Sequence, residues 1–159
     1  MMYRFEINRI DNEHVGKEML QTIENICEEF GMENDFGIIS TAMQQLVDLI
    51  GAYTQDAPNH YSIVFTVDNQ RLVTTVQQEI AMPAFEQSVL RADSDGAQIL
   101  ARLADSIECS EDGRQLGLEF EIHPQQTPAS QGYENLAQER QLAFLGKRID
   151  VKINSESER

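Results

Sequence analysis

Apolar residues along this chain recur at two different spacings, and the changes of spacing divide it into elements. Over Tyr3–Ile7, Tyr, Phe and Ile alternate with Arg and Glu, the period of a half-buried strand. The period then lengthens. Val15, Met19, Ile23, Ile26 and Phe30 fall on one helical face, with Lys17, Glu18, Glu24 and Glu28 largely opposite. Asp11 or Asn12 is expected to cap this helix through a side-chain oxygen, and Gly31 to stop it. A second predicted helix begins near Asp35 and turns Ile39, Ala42, Met43, Leu46, Ile50 and Tyr53 inward. The segment Thr54–Asn59, with Pro58, breaks that period and reads as a loop.

Two β-rich runs, Tyr61–Val67 and Leu72–Val76, flank the polar stretch Asp68-Asn69-Gln70-Arg71 and predict a hairpin. From Gln77 to Asp95 the pattern fades into a loop with a short helix. Within it, Met82-Pro83-Ala84-Phe85 is read as a packed loop in preference to a plug over a pocket. The segment Ser94–Ile122 is sharper. Gly96, Leu100, Leu103 and Ile107 form one helical stripe, Asp112-Gly113 is a tight turn, and Gln115–Ile122 alternates as a closing strand. The predicted class is α+β: a two-layer α/β sandwich with a mostly antiparallel sheet and helices packed on one face.

After His123 the composition shifts. PQQTPASQG is a polar linker, Tyr133–Lys147 has the pattern of an amphipathic helix, and Arg148–Asn154 alternates like a short strand before SESER. The expected division is one domain over residues 1–123 and an extension over 124–159. Leu136, Leu142, Phe144, Leu145, Ile149 and Val151 are too apolar for a solvated tail. Docking back onto the domain, as an added edge strand, and an arm for homodimerisation or partner binding both stay open.

Composition narrows the function classes. A chain of 159 residues is long enough for one real core, and 41% hydrophobic with 25% charged residues is ordinary globular usage. No apolar run has the length of a membrane span, and MMYRFEINRI lacks the core of a signal peptide, so a cytoplasmic protein is expected. The net charge of −15, with no Lys/Arg cluster, disfavours nucleic acid and anionic membranes as partners. Cys27 and Cys109 read as reduced thiols in apolar contexts. His14, His60 and His123 are far apart and read as surface or cap residues, and no His/Cys spacing points to a metal. Ser40, Thr41 and Ser62 have no evident base partner.

The order strand, helix, helix, hairpin, loop, helix, strand resembles the GHKL (histidine-kinase-like) ATPase superfamily, and more closely its small anti-sigma-factor serine kinases. The resemblance covers roughly Tyr3 to Ile122 and is sharpest in LARLADSIECSEDGRQLGLEFEI. It implies a nucleotide pocket whose motif positions can be placed on this chain. The helix that would supply a catalytic Glu and, four residues on, a Mg²⁺-binding Asn carries Gln45 and Leu49 instead. Glutamine is no base and leucine offers no oxygen to a hard cation. The adenine-reading Asp position holds Gln78, and the first glycine after it is Ile80. The phosphate-binding turn retains only Gly96 of its glycines, beside Asp95.

Gln45, Leu49, Gln78, Ile80 and Gly96 are therefore read as a vestigial nucleotide pocket, with no catalytic residue, no metal ligand and no cofactor. The implied role is a non-catalytic regulator whose partner is another cytoplasmic regulatory protein, sigma-factor-like or anti-sigma-antagonist-like. The competing expectation is an ATP/Mg²⁺-binding serine/threonine kinase that uses Gln45, Asp48, Gln78 and Glu79 as unusual ligands.

Overall fold

A computed structural model describes residues 2–123. Five strands form one antiparallel sheet, in the order β1-β2-β3-β5-β4: β1 (Tyr3–Asp11), β2 (His60–Val67), β3 (Arg71–Gln78), β4 (Ser106–Cys109) and β5 (Gln115–Glu121). Three α-helices, α1 (Val15–Glu29), α2 (Phe36–Tyr53) and α3 (Asp95–Leu103), complete an α+β sandwich, with a 3-10 turn at Glu33–Asp35 and, where a short helix was expected, a π-helical turn at Glu86–Leu90. The strands alternate as a one-sided sheet requires. Tyr61, Ile63, Phe65 and Val67 of β2, Leu72 and Val76 of β3, and Leu116, Leu118 and Phe120 of β5 all join the core. Met19, Ile23, Met43, Leu46 and Leu100 meet them from the helices. Each such side chain contributes about 1.5–3 kcal/mol on burial. The polar Thr74 is also fully buried there, and its hydroxyl contacts Met43 Sδ at 3.2 Å and the Leu118 carbonyl at 3.4 Å.

The helix ends follow their local chemistry. Gly31 takes φ +68°, and the Met32 N–H donates to the Cys27 carbonyl at 2.8 Å, the bond that closes a left-handed helix terminus. The start of α1 differs from expectation, because neither Asp11 nor Asn12 occupies the N-cap position; His14 does. Asp11 Oδ1 instead accepts from the His14 N–H at 3.0 Å, and Asn12 Nδ2 donates to the Ala57 carbonyl at 3.3 Å. Strand β1 runs on to Asp11 through an irregularity between Ile7 and Ile10, where Arg9 has φ +51°.

The largest departure lies in the closing segment. The predicted helical stripe reached Ile107, yet α3 stops at Leu103 and Ser106–Cys109 forms an additional strand. Ile107 pairs with Leu118, not with the next helical turn. The helix is ended by hydrogen bonds that β5 offers. The Asp105 N–H donates to the Glu119 carbonyl at 2.8 Å, and Asp105 Oδ2 accepts from the Glu121 N–H at 2.6 Å. Asp112-Gly113 is accordingly the turn of the β4–β5 hairpin. Gly113 has φ +73°, and a Cβ there would lie 2.6 Å from both Cβ and the carbonyl oxygen of Met82. Glycine is required twice over, for conformation and for close approach.

Met82 and Phe85 are fully buried, so their segment packs as core. Tyr53 holds it from α2, donating its hydroxyl to the Pro83 carbonyl at 2.7 Å and meeting the Phe85 ring edge-on at 5.4 Å. At the opposite end, buried Asp35 accepts from the His123 N–H at 2.8 Å, which ties the end of β5 to the start of α2. The predicted linker, helix and strand beyond residue 123 lie outside the described residues.

Candidate functional site

The five residues aligned with the nucleotide motifs sit in two places. Gln45 and Leu49, four residues apart on α2, share a helical face as the i, i+4 spacing requires, and Gly96 in the first turn of α3 meets both. A Cβ on Gly96 would lie 2.9 Å from Gln45 Oε1 and 3.2 Å from Leu49 Cδ2. Gly96 is thus packed closely against these two side chains of α2. The backbone at the start of α3 is also partly engaged, since the Ala97 N–H donates to Ser94 Oγ at 3.2 Å. Asp95 stands in the same first turn, placing negative charge where an anion would approach.

Gln78 and Ile80 lie at the far end of β3, under the β4–β5 hairpin. Gln78 is buried, and its amide is engaged on every side. Its Oε1 accepts from Asn59 Nδ2 at 2.9 Å and from the Ile80 N–H at 2.8 Å. Its Nε2 donates to the Gly113 carbonyl at 3.0 Å and to the Ile80 carbonyl at 2.5 Å. A glutamine amide has two donors and two acceptor positions, and all four are used. Asn59, itself buried, extends the network: its Oδ1 accepts from the His60 N–H at 2.9 Å and from the Glu79 N–H at 3.1 Å. The resulting knot joins the end of α2's following loop, the end of β3 and the closing hairpin.

Glu79, one residue on, projects to the outside. It accepts from Arg9 Nη1 at 2.6 Å and lies 3.3 Å from His60 Nδ1, and these partners, Arg9 first, hold its carboxyl below the usual range. Arg114 Nε adds a bond to the Glu79 carbonyl at 3.0 Å. Glu79 is thus on the other side of the strand from Gln78. Asp48, the remaining ligand of the kinase expectation, stands three residues beyond Gln45 on α2. It accepts from Gln44 Nε2 at 3.0 Å and lines a cleft of about 520 Å³ together with Glu13, Asp56 and Tyr61. Three carboxylates make this cleft repulsive to a triphosphate. Asp11, Glu13 and His14 bring three ligand-type atoms within 4.8 Å of one another at the start of α1, where Asp11 is already engaged by His14.

Cys27 is buried and Cys109 half-buried. Burial, then the carboxylates of Asp35 and Glu33, push Cys27 up to about 12, and burial likewise raises Cys109. Neither is poised as a nucleophile.

Asn59 and Arg114 did not stand out in the sequence, and Gly113 did so only as a turn residue, although one signal for the network was present. The alternation that buries Leu72, Thr74 and Val76 carries Gln78 to the same side of β3. A polar residue at an inward position needs internal partners. No family model matches the chain, and no curated protein matches it. Among the described residues no helix is long and apolar enough to cross a membrane.

Proposed function

We propose that this chain is a non-catalytic, protein-binding regulatory domain of the cytoplasm, built on a degenerate scaffold of the anti-sigma-factor-kinase kind. The observation that carries this reading is Gln78: an amide with every donor and acceptor position engaged inside the protein has none left to read an adenine. Supporting it, Gly96 abuts Gln45 and Leu49; the Gln45 amide is no base, and Leu49 offers no oxygen to a cation. Of the ligands of the kinase alternative, Asp48 lines an acidic cleft and Glu79 is paired to Arg9 outside. The partner is another regulatory protein, of the sigma-factor or anti-sigma-antagonist kind. A net charge of −15 favours a partner with a basic contact surface and gives the association a salt-dependent rate.

The test is a calorimetric titration of the full chain with magnesium-ATP. No heat at millimolar nucleotide is expected. Micromolar binding that Gln78→Ala abolishes without unfolding the protein would overturn the reading in favour of an ATP-using kinase.

A further inference from the structure

The face of the sheet away from the helices is uncovered by any element of the described residues, and its centre is unusual. Val64 and Thr66 of β2, Val73 and Thr75 of β3, and Gly117 of β5 lie across it, with Val73 37% exposed. Gly117, opposite Thr75 on one side and Glu108 on the other, opens a trough of about 310 Å³. Nothing in the sandwich requires glycine there. A Cβ would sit 3.7 Å from the Thr74 carbonyl oxygen and 3.9 Å from Glu108 Cβ, which is ordinary contact. Glycine inside a strand weakens it and marks places where something else approaches the backbone.

We infer that the trough over Gly117 is the docking site for this chain's own residues 133–152. Reach, charge and composition favour that occupant. The described chain ends at His123, just after β5, and the nine residues 124–132 can extend about 30 Å. The way back from His123 to the level of Gly117 is six residues of strand, about 20 Å, which leaves length to round the end of the sheet. Residues 1–123 carry the whole net charge of −15, whereas in residues 133–152 Arg140, Lys147, Arg148 and Lys152 slightly outnumber Glu134, Glu139 and Asp150. On the rim of the trough, Glu108 carries no ion pair with Lys or Arg among the described residues; Glu119 pairs with Arg71. Leu136, Leu142, Phe144 and Leu145 supply the apolar contact that Val73 and Val64 lack. A regulatory partner binding this face would have to displace the tail, so the domain would carry its own competitor.

The chain has no tryptophan, so Phe144→Trp places a single reporter in the tail of the full-length protein. Docking predicts a blue-shifted emission and several-fold weaker acrylamide quenching than in the double variant with Val73→Glu, which buries a charge if the tail is seated. Val73 is exposed on the sandwich itself, so circular dichroism should show the body unchanged. Gly117→Val supplies an opposite-sign check. On a bare face it raises the melting temperature, because valine is the better strand residue; on an occupied face it lowers it and releases the reporter. A reporter equally exposed with and without Val73→Glu, or a melting temperature raised by Gly117→Val, overturns the inference. So does protection that disappears on dilution as a dimer dissociates, since the occupant is then a second copy.

Discussion

Replacing Gln78 with leucine separates a structural amide from a ligand-reading one. Leucine is close to glutamine in volume, so little cavity forms. What changes is the hydrogen bonding. Asn59 Nδ2 and the Gly113 carbonyl are both buried and would lose their partner, at 2.9 Å and 3.0 Å in the intact protein. Each buried polar group left unpaired costs about 1–3 kcal/mol. Ile80 is only half-buried, so water can replace its two bonds at smaller cost. Burying an apolar side chain in place of an amide returns roughly 1–2 kcal/mol. At the middle of these ranges the net loss is about 2–3 kcal/mol. In urea, with a slope of about 1–3 kcal/mol per molar, the midpoint should fall by about 1–2 M with the slope unchanged. A loss under about 0.5 kcal/mol would refute the reasoning, because a buried amide with four partners cannot be removed that cheaply. It would also reopen Gln78 as a residue held ready for a ligand.

Three further outcomes test other parts of the structure. Gly113→Ala should cost about 2–5 kcal/mol in the same urea assay: about 1–2 for the left-handed conformation and about 1–3 for the overlap with Met82. An NMR titration should place His123 above its ordinary 6.5, held there chiefly by its hydrogen bond to Asp35, and Asp35→Asn should return it. With the folded value raised, that contact stabilises fully below about pH 6.5 and is lost as pH rises through the folded pKa, so wild type and Asp35→Asn should converge on the alkaline side. A thiol reagent at pH 8 should leave Cys27 unlabelled in the native protein and label it after denaturation, since its thiol is pushed up to about 12; rapid native labelling would show that the α1 core opens.

Periodicity alone was enough to place most elements. The buried faces of α1 and α2, the β2–β3 hairpin and strand β5 are each stated by a run of residues that must turn the same way to leave water, and such local repetition survives without knowledge of neighbours. The turn chemistry of Gly31 and Gly113 was equally visible, because a left-handed φ is a property of one residue. The two ends of β4 were not. Ile107 fits a helical stripe as well as a strand, and the choice falls to the hydrogen bonds that β5 offers at Glu119 and Glu121, some twelve or more residues further along the chain. Gln78 shows the same division. Its inward position follows from the alternation of β3, but Asn59 and Gly113 become its partners only when the sheet is assembled. Tertiary structure likewise set Gly96 against Gln45 and Leu49 and left Gly117 in the open. What one residue or one repeating face decides can be read along the chain; which groups satisfy one another across the fold is decided by packing, because the partners are distant in sequence and close only in space.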